Sequence, residues 1–510
     1  MSFLDKIKSE LFSQRPVLSI AILRMAFGGF VMWQAYNKGI HVFAGFPVEG
    51  IKFTYPYFEW VSGSPTLAPY LALIWFMLGF LLSVGLLFRI VAPLCFALTA
   101  YGYLISADVY LNHEYMELIY LFLLCFGPAN RVLSIDSLIW KSSGTAPNFY
   151  LLALKIQTEI ILIYAGIVKL NSDWLHLQPL SNWLVNNGDK IFFGHIWDNW
   201  IFVAAGAYGI IILHLFGAPL MLFRRTRLPV FIVYSGFHAI NSQLFPIDIF
   251  PWMTIAVSTL FFEPDWPKRI LTTALKAIGR GSSQVPPKNQ PIARPPPSSW
   301  IALPALTIWF VFQLFIPMRH MLYPSWVDWS EEGTRFSWRM MLAQRSCPVF
   351  EFVIYSPVNH QLFIPDLHSV LHLGQRNAGA VFCHDSDLIL QAAQQVRNYY
   401  VDKEALSPDT EVHAVILKSL NFRAPSLFVD PTIDLAKQPR QRLQHYAWII
   451  PANDMKPLPP PYQDDRKLVD RSSFLEYLKQ AGFDLQKDFS CSKQPTPGRL
   501  EGEDIFCVRK

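Results

Sequence analysis

Long apolar runs alternate with short polar loops over the first three fifths of the chain, and this pattern predicts a helical membrane bundle. A spanning α-helix needs about 20 predominantly apolar residues. Nine runs meet or approach that length. The predicted spans are residues 17–37, 67–88, 90–108, 115–128, 148–170, 200–223, 228–245, 247–262 and 299–318. The fourth and eighth runs are the shortest.

The composition becomes polar after residue 320, where the pattern changes to that of an α+β region. Alternating apolar and polar positions at 350–355 and 412–417 predict strands, and 386–400 and 473–481 predict helices. The expected fold class is therefore a polytopic α-helical membrane bundle of about nine spans followed by an extracytoplasmic, strand-rich α+β domain. Its predicted parts are a membrane domain (1–262), a Pro/Gly/Ser-rich cytoplasmic linker (263–298), a last span (299–319) and the α+β domain (320–510).

Basic residues in the short loops predict the orientation of the bundle. With a cytoplasmic N-terminus, outside short loops hold only Lys38, Lys52 and Lys190, with Lys169 at a span end, whereas the inside loops hold many. Lys and Arg in short loops stay on the cytoplasmic side. The inside set is Lys6, Lys8, Arg15, Arg89, Arg131, Lys141, Arg224, Arg225, Arg227, Lys268, Arg269, Lys276, Arg280, Lys288 and Arg294. No secretory cleavage site follows the first run, so we expect that span to be retained.

Composition narrows the class of protein further. Of 510 residues, 52% are hydrophobic and only 16% are charged, against about 25% charged in soluble chains. This balance excludes a disordered or collagen-like chain and a nucleic-acid-binding domain. The six cysteines are too few for a disulfide framework and show no metal-ligand spacing, so no metal is expected. Cys95 and Cys125 are predicted core thiols, and Cys491 can pair with Cys507 in an oxidising compartment.

Lys169 is the sharpest candidate for chemistry, because it lies at the outer end of the apolar run 148–170. Ionisable side chains at membrane depth are costly and are functional hypotheses by default. Low dielectric disfavours the charged ammonium, and a neutral amine is a general base. The structural alternative is a lysine that extends to the membrane interface.

Further polar residues are predicted near the same membrane face. Asn112 and His113 lie in a tight turn, and His238 and Asn241 are three apart and so share one helical face. Taken singly, a polar turn and a hydrogen-bonded core histidine explain them. Their convergence with Lys169 favours a site for a lipid-soluble substrate. The sequence shows no zinc spacing, phosphate loop or nucleophile elbow.

Several segments together resemble the vitamin K-dependent gamma-carboxylase family, whose membrane part is called the HTTM domain. The similarity extends over about 15–350 and fades afterwards. The segments are Asn112-His113, Ser134-Ile135-Asp136, Tyr164 to Trp174 (YAGIVKLNSDW), Phe237 to Phe245 (FHAINSQLF), Glu263 to Pro267 (EPDWP), Gln313 to Pro317 (QLFIP) and Phe336 to Met341 (FSWRMM).

The resemblance implies that Lys169 deprotonates vitamin K hydroquinone, after which dioxygen converts the quinol into a base strong enough to remove a γ-proton from a peptide glutamate. Carbon dioxide (or bicarbonate) then adds, and the vitamin leaves as its 2,3-epoxide. Asn112, His113 and His238 are expected to orient the quinol or stabilise its anion. The expected substrate-binding residues are Asn241, Gln243, Asp173 and Trp174. Expected partners are the bilayer, a naphthoquinone and, where carboxylation is retained, a glutamate-containing protein, with no nucleic acid.

The sequence also departs from the animal members, and two alternative functions stay open. Val168 replaces the first of two successive lysines, Asn171 replaces an aspartate, and Ala343 aligns with a histidine. Leu362–Asp366 aligns with the glutamate-binding segment. The altered segment leaves open a vitamin K epoxidase without protein carboxylation. The alternative of another class is a non-enzymatic transporter or receptor whose intramembrane Lys and His bind a ligand. The short C-terminal region suggests a bacterial inner-membrane protein with its C-terminal domain in the periplasm.

Overall fold

The computed structural model describes residues 3–45, 52–190, 194–277, 299–371, 378–403, 406–468, 471–495 and 503–510. Within these ranges, one helix lies at each of the nine predicted spans. They are α1 (Leu18–Ala44), α2 (Ala68–Val84), α3 (Phe88–Ile105), α4 (Asn112–Phe126), α5 (Phe149–Ile167), α6 (Trp200–Ile212), α7 (Arg227–Leu244), α8 (Phe250–Ser258) and α9 (Ser299–Phe315).

Among the described residues, five helices are long and apolar enough to cross a membrane, which makes the chain an integral membrane protein. They are α1, α3, α5, the continuous helix Trp200–Leu220 that begins with α6, and Ile301–Leu322, which extends α9. α2 and the segment Phe250–Phe261 are apolar but shorter. The count of nine spans stays a prediction.

α1 and α2 pack so closely that only glycine fits between them. A Cβ atom on Gly28 would lie 2.6 Å from the carbonyl oxygen of Gly79, and one on Gly79 would lie 2.9 Å from that of Gly28. Small residues allow such close approach of helices in lipid, where van der Waals packing replaces the hydrophobic effect between helices.

Part of the predicted linker 263–298 is a helix, Trp266–Ala277. The sequence places Ile270 and Leu271 beside Lys268, Arg269 and Lys276, so the segment has the composition of a basic amphipathic helix of the membrane interface. The Pro/Gly/Ser-rich stretch 280–298 lies outside the described residues. Other short helices are Phe3–Phe12, Ile135–Ile139, Ser172–Leu175, Leu180–Asn187, Val327–Ser330, Leu367–Val370 and Ala378–Phe382.

The C-terminal region contains an antiparallel sheet, in agreement with the predicted α+β class. A small pair, β1 (Gln14–Pro16) and β2 (Thr145–Pro147), precedes it in the bundle. The large sheet has the order β6-β5-β3-β4-β8-β7, with Phe352 of β3 opposite Ala414 of β5. Its strands are β3 (Arg345–Ser356), β4 (Gln361–Ile364), β5 (Glu411–Leu420), β6 (Ser426–Leu427), β7 (Phe489–Pro495) and β8 (Glu503–Arg509), and its main helices are α10 (Ser386–Asp402) and α11 (Arg471–Gln480).

Two disulfides lie in this C-terminal region. Cys491 of β7 pairs with Cys507 of β8, the bridge that the sequence allowed. Cys347 pairs with Cys383, which the sequence did not suggest. Cys95 and Cys125 are free thiols in the bundle, and Cys95 is buried, as predicted.

The C-terminal region is packed directly onto one end of the bundle. The backbone N–H of Phe336 donates to the Tyr110 hydroxyl at 2.7 Å. The Trp338 ring is fully buried in the apolar core of the bundle and stacks on Tyr115, with 5.0 Å between ring centroids. The candidate site lies at this junction.

Candidate active site

Lys169 lies just beyond the end of α5, in a turn that returns its amine to the protein interior. Its backbone N–H donates to the Gly166 carbonyl at 3.1 Å. The side chain is buried, with 5% of the residue exposed. Nζ donates to the Ala165 carbonyl at 3.1 Å and to the Met340 carbonyl at 3.2 Å. The amine therefore joins the bundle to the C-terminal region, and no carboxylate of the described residues forms an ion pair or hydrogen bond with it.

Asn171 holds this turn from both sides. Its Nδ2 donates to the Val168 carbonyl at 2.9 Å, and its Oδ1 accepts from the Trp174 backbone N–H at 3.0 Å, capping the helix Ser172–Leu175. An ionised aspartate can only accept hydrogen bonds. Asn171 therefore makes a contact to the carbonyl of Val168 that the aspartate of animal members cannot make.

Gly166 brings a second polar side chain to the site. A Cβ at this position would lie 2.9 Å from the Leu215 side chain, so only glycine allows α5 to approach the π-helical turn Leu213–Gly217. His214 of that turn is buried, and its Nδ1 lies 2.8 Å from the Ile210 carbonyl. Sequence reasoning missed His214, although a histidine within an apolar run was itself a signal.

A cavity of about 220 Å³ unites most of the predicted site residues. Of those predictions, Lys169, Asn112, His113, His238, Asn241 and Trp174 all line it. His214 and Arg339 are polar lining residues that the sequence analysis did not single out. The apolar wall includes Trp183, Ile210, Phe237, Phe245, Ile247 and Phe250.

His238 is the most informative residue of the cavity. Only 1% of it is exposed, and among the described residues neither ring nitrogen has a hydrogen-bond partner. The ring stacks on Tyr234 and meets Phe250 edge-on. A buried polar group left unsatisfied costs about 1–3 kcal/mol. Such an imidazole beside an open cavity fits a ligand that supplies the missing hydrogen bond.

Two basic side chains, Arg339 and Lys169, line the cavity. Asp328 holds the Arg339 guanidinium through two hydrogen bonds, of 3.1 and 2.6 Å. Burial, together with the nearby Arg339 charge, lowers the pKa of Lys169 to about 7. A substantial fraction of the amine is therefore neutral at physiological pH. Arg339 and Lys169 are therefore the two basic side chains among the described lining residues that an anion in the cavity would face, besides the histidines.

Two of the predicted substrate-binding residues lie away from the cavity lining. Asp173 is buried, and its carboxylate accepts from both terminal nitrogens of Arg423, at 2.6 and 2.8 Å, and from Asn421 Nδ2 at 2.6 Å. Its visible role is to join the bundle to the C-terminal region. Gln243 is exposed, and its Nε2 donates to Ser242 Oγ at 3.4 Å.

The segment aligned with the glutamate-binding region is structural here. Leu362, Phe363 and Ile364 belong to β4, with Leu362 fully buried. Asp366 caps the helix Leu367–Val370. Ala343 packs against the apolar core of the C-terminal region. Across the described parts of the chain, no group of three or more His, Cys, Asp or Glu is arranged to hold a metal ion.

Fold and site together define an integral membrane protein with a buried amine in a cavity between the bundle and the C-terminal region. A family model described as "HTTM domain" matches residues 12–266. A second, "Vitamin K-dependent gamma-carboxylase, lumenal domain", matches residues 299–455. The chain belongs to the vitamin K-dependent gamma-carboxylase family. No solved structure matches it.

Proposed function

We propose that this protein oxygenates vitamin K hydroquinone to its 2,3-epoxide and couples that reaction to γ-carboxylation of peptide glutamate. The observation that carries the proposal is that Lys169 and His238 line one apolar-walled cavity. Within the described part of the chain, the Lys169 amine has no carboxylate partner and the His238 ring nitrogens have no hydrogen-bond partner. A planar bicyclic quinol presents hydroxyl oxygens to these groups and an apolar ring face to the aromatic wall. Membership of the family supports this substrate class.

Each lining residue has a proposed role in this reaction. Lys169 Nζ takes the proton of a quinol hydroxyl, because a neutral amine with a pKa near the working pH is an effective base. His238 and His113 hydrogen-bond the quinol oxygens, and Asn112 and Asn241 orient the ring system. Arg339 stabilises the anion without reorganisation, since Asp328 already fixes it. The bound quinol, with dioxygen, supplies the oxidising chemistry and the strong base that no side chain provides.

A second candidate, epoxidation without protein carboxylation, is favoured by β4. Leu362–Ile364 is paired in the sheet, and the Asp366 carboxylate caps the helix that follows, so the acidic side chain of the segment aligned with the glutamate site is already hydrogen-bonded. Purified protein in nanodiscs, given reduced vitamin K, dioxygen, labelled bicarbonate and a glutamyl peptide, separates the candidates. Epoxide with label in the peptide supports the coupled reaction, and epoxide alone supports the second candidate. Binding of the quinol without turnover supports the transporter or receptor.

The proposed location is a bacterial inner membrane with the N-terminus in the cytoplasm and the C-terminal domain in the periplasm. The two disulfides of the C-terminal region support an oxidising compartment for that domain. The excess of Lys and Arg in the predicted inside loops supports the orientation.

The rate of epoxide formation is expected to rise with pH and to level off at about pH 7. Lys169 acts as a base only when unprotonated, and burial with the Arg339 charge brings its pKa to about 7. Below that pH the rate falls tenfold per pH unit. The check is a pH profile of epoxide formation without peptide. A rise that continues to pH 10 would show that Lys169 titrates as an ordinary lysine.

A further inference from the structure

Asp248 lies at the rim of the site and faces two basic side chains from other helices. It belongs to the loop between α7 and α8. Its Oδ2 lies 3.7 Å from His113 Nε2 and 3.6 Å from Lys38 Nζ. Lys38 in turn contacts Glu114 Oε1 at 2.5 Å. His113 lines the site cavity, whereas the Asp248 side chain is 36% exposed. A chain of ionisable groups thus runs from the cavity to the surface.

The backbone of Asp248 has an uncommon conformation. Its φ is 48°, in the left-handed region that non-glycine residues rarely adopt. Such strain persists only where the surrounding structure imposes it. His113 and Lys38 also lower the pKa of the Asp248 carboxyl, so the group that faces His113 is an anion.

The stoichiometry of the proposed reaction requires a route by which a proton leaves the cavity. In epoxidation alone, hydroquinone is oxidised and dioxygen is reduced, one oxygen atom entering the epoxide and the other leaving as water, with no net proton. Carboxylation breaks the γ C–H bond of glutamate and forms a C–C bond to carbon dioxide. The new carboxylate is ionised, so each carboxylation leaves one proton in the cavity.

We propose that Asp248 is a positioning residue that acts through His113 to remove this proton. His113 takes up the proton that remains on Lys169 at the end of a turnover, Asp248 stabilises the resulting imidazolium, and the exposed edge of the carboxylate passes the proton to water. Lys38, fixed by Glu114, holds the carboxylate toward His113. The inference rests on the proposed function and adds the route by which the base is reset.

The test compares Asp248→Asn with wild type in nanodiscs, following epoxide and labelled carboxylate together. Asparagine tolerates the left-handed backbone, and Lys38 keeps Glu114 as its partner. We expect carboxylation to slow roughly tenfold or more. Epoxide formation without peptide should stay within about twofold of wild type, because it leaves no proton to remove. The matched control is Asp189→Asn, the same charge change at an exposed residue of the turn beside α7.

A second variant keeps the test decisive. Asp248→Gly suits the positive φ and leaves space for a small carboxylic acid, so formate in the buffer should restore carboxylation in it. Unchanged carboxylation in Asp248→Asn, or an equal loss of epoxide with and without peptide, would overturn the inference while leaving the proposed function intact. Wild-type protein that forms epoxide but no carboxylate would also overturn it. Absence of both products would instead refute the proposed function.

Discussion

Replacement of Lys169 by methionine is expected to reduce epoxide formation by a factor of about 100 to 10,000, the range for loss of a general base. Methionine keeps most of the apolar stem in its buried position. The Ala165 and Met340 carbonyls lose a donor, which costs about 1–3 kcal/mol, so the protein should remain folded. The measurement is the initial rate of epoxide formation from reduced vitamin K, with quinol affinity determined separately.

Lys190→Met provides the matched control. Lys190 lies at the same end of the bundle, but its amine is at the surface, where it donates to Asn187 Oδ1 at 2.6 Å. Its loss should leave the epoxide rate within about twofold of wild type, as for most exposed substitutions. Alanine at 169 should behave like methionine. A folded Lys169→Met protein with a normal epoxide yield would remove this amine from the mechanism.

The helices of the bundle were predictable because hydropathy is a local property. Each of the nine runs coincides with a helix, and the strand and helix predictions at 350–355, 412–417, 386–400 and 473–481 lie within β3, β5, α10 and α11 or overlap them closely. Hydropathy does not classify helices that are too short or too polar to span a bilayer by themselves. Neighbouring helices shield such segments from lipid, so their own sequence need not be uniformly apolar. The helix Trp266–Ala277 was missed because nearby Pro, Gly and Ser masked its amphipathic pattern.

The site was predictable in part, for a related reason. Lys169, His113 and His238 were predictable because each is a polar residue in or beside an apolar stretch of the sequence, which can be recognised without knowing its contacts. The roles of Arg339 and Asp248 depend on contacts between segments distant in sequence, as does the Cys347–Cys383 bridge. A single sequence does not show which residues from distant segments come into contact in the fold. Asp173 shows the same limit, since the family resemblance suggested substrate binding while its partners lie about 250 residues away.

Asp173→Ala is expected to destabilise the junction between the bundle and the C-terminal region by about 3–5 kcal/mol, the usual cost of removing one partner of a buried ion pair. The change leaves the Arg423 guanidinium buried, with the Leu420 carbonyl as its remaining hydrogen-bond acceptor among the contacts described here. Reaction of the free thiols of Cys95 and Cys125 with a fluorogenic maleimide during heating measures the effect, as a fall in the transition midpoint.

Asp464→Ala is the comparison, because it breaks an ion pair with Arg466 in which both side chains are more than a quarter exposed. Exposed pairs contribute about 0–1 kcal/mol, so its midpoint should barely move. The double variant Asp173→Leu with Arg423→Leu should recover much of the lost stability, since apolar replacement of both partners removes the unpaired charge. The contrary result is an Asp173→Ala protein with the wild-type transition midpoint and a raised KM for quinol. Asp173 would then bind substrate, as the family resemblance suggested, and the ion pair with Arg423 would not hold the bundle and the C-terminal region together.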